Sequence, residues 1–357
     1  MSARVIIVGG GAMGLSTAWS VCRMGGVPIV LERFSRAHDH GASHGATRNF
    51  NDAYADAAYL DLLQRAFELW NDLSTGLDES LLHLHGLVTH GDETGIQEIS
   101  EAHAERGILS EVLAAHDAAS RWGGMRFTTQ VLFSPSAGVV RAAAALTELE
   151  RRIVSHGGEV RWDTRVAAID SASIVTLTDG STVEGDRVVI TAGAWTRSLV
   201  PTSIALPALR VSEEHPAHFA PVDSSEWPSF NHLVSPDDGW PANVYGMPTP
   251  GEGIKVGFHK VGDEVDPDNR KYGAPTLGIL RDYVNEWMPG LDPRTAVPVS
   301  CTYTSTASED FILDRVGDLI IGAGFSGHGF KFVPAVGETL ARLALEDGFR
   351  THERFRV

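Results

Sequence analysis

The segment Arg4-Val-Ile-Ile-Val-Gly9-Gly10-Gly11-Ala12-Met13-Gly14 permits few folds. A short apolar run breaks into G-x-G-x-x-G at the point where a strand would hand over to a helix. Val5 to Val8 suit a buried parallel strand, Gly9 permits the tight turn, Gly11 lets the backbone approach a pyrophosphate, and Gly14 lets the helix pack closely on the strand. Phosphates would then meet the helix N-terminus, where unpaired N–H groups and the helix dipole favour negative charge. A second strand, Val27 to Leu31, ends at Glu32, whose carboxylate is placed to accept hydrogen bonds from a ribose diol. An acidic residue there allows FAD or NAD and disfavours NADP.

Composition narrows the partners. The 357 residues are enough for two domains. With 29 basic against 46 acidic residues, the net charge of −17 argues against nucleic acid or an anionic membrane as the main partner. No apolar run has the length of a membrane span, and the first is a strand broken by glycines rather than a signal-peptide core, so a soluble cytoplasmic protein is expected. Two cysteines, Cys22 and Cys301, exclude a disulfide framework, and none of the fifteen histidines stands in a metal-binding spacing. No metal is expected.

Further along, apolar spacing predicts helices over Ala57 to Leu73 and Ala142 to His156, and strands over Glu159 to Trp162, Arg165 to Ile169, Ile174 to Leu177 and Arg187 to Ile190. Thr191-Ala192-Gly193-Ala194-Trp195 is a small-residue turn at the end of that last strand. From about 205 to 300, many Pro, Gly and His residues and short alternating runs predict an antiparallel sheet, inserted before a nucleotide-type pattern returns at Asp318 to Gly329. A final helix is predicted over Val336 to Leu345, just after Pro334. Within Gly253 to His259, alternation puts Ile254, Val256 and Phe258 on a core face and Lys255, Gly257 and His259 on the other, with Gly257 leaving room for something flat. By the same alternation Cys301, Tyr303 and Ser305 share a face.

The chain resembles the sarcosine oxidase-like branch of the D-amino-acid oxidase flavoproteins. The resemblance is carried by the cradle with Glu32, by Ser43-His44-Gly45-Ala46-Thr47-Arg48, by Lys255 and His259, by Cys301-Thr302-Tyr303-Thr304, and by Gly322 to Phe332 with its Lys331. It implies an α/β fold, in which an FAD-binding Rossmann-like domain of glutathione-reductase type (residues 1–82, 140–205 and 302–357) carries an inserted antiparallel-sheet substrate domain (83–139 and 206–301). It also implies a monomer and FAD rather than NAD, held by Gly9, Gly11, Ala12, Met13, Gly14, Glu32 and Arg33 at one end. Ser43, His44, Thr47, Arg48, Val166, Gly193 and Trp195 would follow, then Gly324, Phe325, Gly327, His328, Gly329 and Lys331. The flavin would be joined through its 8α-methyl carbon to Cys301, although a cysteine in such a run, taken alone, is a small buried hydrophobe.

Roles follow from the same resemblance. Lys255 would lie beside the flavin, where a fixed positive charge stabilises O2 as it takes up electrons and H2O2 forms. Arg48 would add positive potential, Lys331 would hold a substrate carboxylate, and Tyr245, His259 and Tyr303 would orient a neutral amine. The bland alternatives are a solvent-facing lysine at 255, an arginine at 48 paired with surface carboxylates, a core histidine at 259, and a basic loop end at 331. One departure stands out. Where the family carries a second carboxylate-gripping arginine, this chain has Asn51, followed by Asp52, and an amide does not replace a bidentate ion pair. Asn51 and Asp52 would instead hydrogen-bond a polar or cationic part of a larger substrate, which disfavours sarcosine itself. The expected reaction is oxidation of the C–N bond of a secondary amine or N-alkyl amino acid to an imine, with O2 as acceptor. A cyclic imino acid or glycated amino acid oxidase or dehydrogenase, and a flavin-binding subunit without turnover, are the alternatives.

Overall fold

The structure, a computed structural model, describes residues 2–171 and 173–357; Met1 and Ala172, both within the expected FAD-binding segments, lie outside the described residues. A six-stranded sheet runs in the order Ile312–Val316, Leu319–Ala323, Arg187–Ile190, Arg4–Val8 (β1), Val27–Leu31 (β2), Glu159–Arg161. Every pairing in it is parallel except that between the first two strands. Because β1 pairs with β2 on one side and with Arg187–Ile190 on the other, the crevice beyond its carboxyl end is where a ligand of such a sheet binds. One face is covered by the helices Ala12–Arg23 (α1), Ala57–Ser74, Ala142–Ser155 and Val333–Leu345. The other packs on a small meander, Val166–Ile169, Ile174–Leu177 and Thr182–Glu184.

The second sheet has eight strands, in the order Val297–Pro298, Ala217–Phe219, Gly253–Phe258, Val244–Thr249, Ser229–Leu233, Leu87–Gly91, Val131–Ser134, Glu111–Leu113. It is mixed rather than antiparallel: Ser229–Leu233 runs parallel to Leu87–Gly91. These strands come from chain segments that enter the sheet separately, with the whole Ala142 to Leu199 excursion between them, so no hairpin dictates their relative direction. Ile254, Val256 and Phe258 pack with Leu280, Tyr283, Val284 and Trp287 of the helix Leu277–Trp287, as the alternation required. Gly257 departs from expectation, because a Cβ there would lie 2.8 Å from Pro216 Cβ and 3.0 Å from the Tyr245 hydroxyl. The flat group it accommodates is therefore the protein's own tyrosine.

Cys301–Ser305 does not join either large sheet. It pairs with Arg210–Glu214 at the edge of a three-stranded sheet, and a division between residues 301 and 302 falls on the first residue of this strand. The last helix starts at Val333, earlier than its apolar spacing suggested, with Pro334 inside the first turn. Proline is accommodated there because a first-turn N–H has no helical partner to lose.

Two tests follow from the packing. A Cβ on Gly14 would lie 1.8 Å from the Gly9 carbonyl oxygen, so Gly14→Ala is expected to cost about 1–3 kcal/mol or more in denaturant unfolding. In the second core, His90 and His232 stack at 4.3 Å, and neither nitrogen of His90 has a partner. Burial pushes His90 well below the ordinary histidine value and His232 to about 4. The unfolded chain therefore binds more protons once pH falls below about 6.5, and stability is lost from there towards about pH 4. Unfolding midpoints at about pH 7.5 and about pH 5 should differ accordingly, and His90→Leu should shrink the difference.

Candidate functional site

The glycine turn between β1 and α1 opens one end of a cavity of about 1200 Å³. Gly9 has φ +108°, and a Cβ on it would meet the Thr191 carbonyl oxygen at 2.5 Å, so the turn and the neighbouring strand end are in backbone contact. Gly14, which does not line the cavity, sets the distance of α1 from β1. The N-terminus of α1 thus faces the cavity, with the Ser43 hydroxyl accepting from the Ala12 N–H at 3.0 Å. Glu32 is buried and already engaged: its carboxylate accepts from the N–H of Gly10 at 2.7 Å and of Phe34 at 3.0 Å. It shapes the turn before it meets any ribose.

Beyond Glu32 the wall is formed by Arg33, Val166, Gly193 and Trp195. Asp268 ties two of them together, pairing with Arg33 at 3.0 Å and accepting from Trp195 Nε1 at 2.8 Å. It lines the cavity too and lies in an Asp/Pro/Asn-rich loop with no sequence signal of its own.

At the far end the cavity gathers Arg48, Asn51, Tyr245, Lys255, His259, Cys301, Tyr303 and Lys331, together with Gly324, Phe325, Gly327, His328 and Gly329. Met13 and His44 line it as well, whereas Thr47 does not. Thr47 instead joins its strand, Thr47–Phe50, to the second sheet through a 2.8 Å contact between its hydroxyl and that of Thr249. Cys301 and Tyr303 reach the cavity, and so do Thr302 and Thr304, because this strand is the edge of its sheet; Ser305 is buried away from it. Tyr303 donates to the Tyr245 hydroxyl at 3.4 Å, and its ring fills the space that a Cβ on Gly327 (φ +80°) would occupy. Burial pushes Tyr245 up to about 12 and holds Tyr303 well above the ordinary tyrosine value, so both phenols are neutral.

The expectation for Asp52 is overturned. Its side chain is buried near His103 and Ser134 and takes no part in the cavity wall, and burial raises its carboxyl above the ordinary range. Both residues lie just past the strand Thr47–Phe50, where Asn51 faces the cavity and Asp52 the interior. Asn51 does line the cavity; its Oδ1 accepts from the Ala53 N–H at 3.0 Å, which leaves the amide nitrogen as the donor available to a ligand. Tyr54, which sequence reasoning missed, lines the cavity and accepts a hydrogen bond from Lys331 Nζ at 2.9 Å. Only its spacing, three residues past Asn51 in the same linker, could have pointed to it.

The electrostatics are one-sided. Arg48 is held by the carbonyls of Thr47 (2.8 Å), Ala42 (2.8 Å) and His44 (2.5 Å), and packs over Phe330. Among the described residues no carboxylate pairs with Arg48, Lys255 or Lys331. The surface-pairing alternative for Arg48 and the solvent-facing one for Lys255 are thereby removed, since Lys255 is 8% exposed. Burial, then the Arg48 charge, lowers Lys255 to about 8. His44 and His218 are each lowered to about 4, His44 by burial, then Arg48 and Lys255, and His218 by burial, then Lys255 and Arg48. His259 sits at the rim, 29% exposed, with Nε2 4.0 Å from the Glu309 carboxylate. Replacing Lys255 with Met should raise both buried histidines while leaving them below about 6.5, with the larger rise at His218, as read from imidazole proton shifts across a pH series. An unchanged His218 titration would show that the lysine charge does not reach it.

The residues fit a flavin dinucleotide: a helix N-terminus and a glycine turn at one end, uncompensated cations and a cysteine at the other. The family described as FAD dependent oxidoreductase (DAO) matches residues 4–343. Peroxisomal sarcosine oxidase of Homo sapiens is 32% identical, covering 96% of this chain and 92% of its own length. Monomeric sarcosine oxidase of Bacillus sp. is 29% identical over 95% of this chain and 92% of its own. The solved structure of NikD, described as an unusual amino acid oxidase essential for nikkomycin biosynthesis, superposes with a TM-score of 0.87 at 25% identity, covering 99% of this chain and 97% of that one. The chain belongs to the DAO family and is an FAD-dependent oxidoreductase.

Proposed function

We propose that this enzyme oxidises the C–N bond of a secondary amine or N-alkyl amino acid larger than sarcosine, uses O2 as acceptor, and carries FAD bonded to Cys301. The observation that carries this reading is the convergence of Arg48, Lys255, Cys301 and Lys331 on one cavity without a carboxylate among their partners. An inert subunit would have no reason to keep Lys255 and Lys331 buried beside the half-buried Arg48, because a buried cation without an anion is costly. Residues 1–82, 140–205 and 302–357 form the FAD-binding part in this reading, and 83–139 with 206–301 the substrate part.

The bound flavin supplies the two-electron chemistry; the chain supplies everything that positions and charges the site. The α1 N-terminus, Ser43 and the Gly9 to Gly11 backbone receive the pyrophosphate, and Glu32 with Arg33 and Trp195 frames the adenosine. Arg48 and Lys255 hold positive potential at the ring end, where negative charge accumulates when electrons arrive and when O2 takes them. Lys331 and the Asn51 amide, one charged and one neutral donor, receive the substrate carboxylate. Tyr245 and Tyr303, locked neutral, and His259 at the rim orient the amine. On the Lys331 side the rings of Tyr54 and Phe332 pack against Nζ, and Tyr54 and Phe330 line the cavity.

Three measurements test this. Acid-precipitated protein should stay yellow, and Cys301→Ser should give a colourless pellet; a colourless wild-type pellet would remove the link to Cys301 while leaving FAD. A peroxide assay across N-alkyl and cyclic amino acids should find turnover, and its absence with every one of them would sink the oxidase reading. Lys255→Met should slow reoxidation by about a hundredfold and anaerobic reduction far less. Equal slowing of both half-reactions would reject an oxygen-side role.

A further inference from the structure

Lys331 sits on the short turn Phe330–Phe332, 4% exposed, with its carbonyl fixed by the Trp70 indole N–H at 2.8 Å. Nζ donates to the Tyr54 hydroxyl at 2.9 Å and to the His328 carbonyl at 3.0 Å. The hydrogens of this chain can be placed one by one. His328 Nε2–H points to the Glu309 carbonyl at 3.3 Å, which makes Nδ1 the acceptor of the Tyr54 hydroxyl hydrogen at 3.1 Å. The Tyr54 oxygen is then an acceptor for Lys331. A neutral amine carries two N–H bonds and one lone pair, whereas an ammonium carries three donors. Both available acceptors are taken, and the remaining tetrahedral position of Nζ belongs to the cavity.

The groups around Nζ are all uncharged. Tyr54 and Tyr59 are raised above the ordinary tyrosine value, and His328 is lowered to about 3 by burial and by Lys331 itself. The nearest cation on the adjoining strand, Arg48, packs over Phe330, and no carboxylate pairs with Lys331 among the described residues. Burial alone lowers Lys331 to about 7.

We propose that Lys331 enters catalysis as a neutral amine and accepts the proton that the substrate ammonium must lose, becoming in the same step the cation that grips the substrate carboxylate. The N–H bond of the ammonium breaks, its electron pair stays on the substrate nitrogen, and the Lys331 lone pair forms the new N–H bond. Zwitterion and neutral lysine become amine-carboxylate and lysinium, with no change in total charge and no further reactant. An α-amino acid carries both groups on one carbon, so one Nζ can serve both. Asn51 suits this arrangement: a neutral amide assists the carboxylate without a second fixed cation that would make the lysinium redundant. The assignment rests on the amino-acid oxidase reading above.

The test uses the holoenzyme and two readouts. At about pH 8 in weak buffer with an indicator dye, titration with 2-furoate, a carboxylate lacking a basic nitrogen, should draw close to one proton per site from solvent as the flavin spectrum shifts. K331R and K331M should draw none. Absence of proton uptake in the wild type, or of any spectral shift with 2-furoate, overturns the proposal. In anaerobic reduction by a turned-over amino acid, the wild-type limiting rate should be flat from about pH 7.5 to about pH 9, whereas K331R should gain about tenfold per pH unit because the amine must arrive already neutral. A flat K331R profile overturns it as well. Should no amino acid reduce the flavin while proton uptake with 2-furoate persists, the oxidase reading fails and the proton-transfer role of Lys331 falls with it, leaving only a lysine that is protonated when a carboxylate binds.

Discussion

The approach of α1 to β1 governs this molecule. With no Cβ at Gly14, the helix backbone rests on the Gly9 carbonyl, and with φ +108° at Gly9 the chain turns against Thr191. That contact directs the helix N-terminus into the crevice between β2 and Arg187–Ile190. Glu32 completes it by taking the Gly10 N–H at 2.7 Å, so the acidic residue and the glycines form one unit. The parallel sheet supplies the frame, and this junction decides where the frame can receive an anion.

The second constraint is charge. A chain of net −17 surrounds its cavity with Arg48, Lys255 and Lys331 and assigns them no carboxylate among the described residues. Arg48 is satisfied by three carbonyls, a way to hydrogen-bond a guanidinium without cancelling its field. The buried histidines nearby respond by staying neutral. Such an arrangement is stable when anionic ligands complete it, and the pyrophosphate and reduced flavin of FAD are both anionic, as is the carboxylate of the proposed substrate.

Much of this was legible in the sequence because the signals were local. The glycine turn, the strand alternation that sends Lys255 away from Ile254, Val256 and Phe258, and the loop ending in Lys331 each depend on near neighbours. What was not legible depends on partners distant along the chain. Asp52 is held at the interior by His103 on a remote helix, whose Nε2 donates to the Asp52 backbone carbonyl at 2.8 Å. Gly257 leaves room for Tyr245, and Thr47 reaches Thr249, through pairings no spacing rule encodes. The mixed character of the eight-stranded sheet has the same origin: direction was settled by two segments meeting in space.

The two cavity lysines show how one physical cause yields different chemistry. Burial is the leading influence on both, yet Lys255 lies beside the positive Arg48, while Lys331 lies among neutral hydrogen-bond acceptors. At Lys255 the Arg48 charge adds to burial, and the value still stops at about 8, so near neutral pH the ammonium predominates and its field is fixed. At Lys331 burial alone brings the value to about 7, where a proton can be gained or lost at little cost. In the proposed reaction, a fixed charge suits the partner that arrives uncharged and leaves reduced, namely O2. A switchable one suits the partner that arrives carrying a proton it cannot keep, and the same cavity can serve both because strand alternation delivers one lysine and a glycine-rich turn delivers the other.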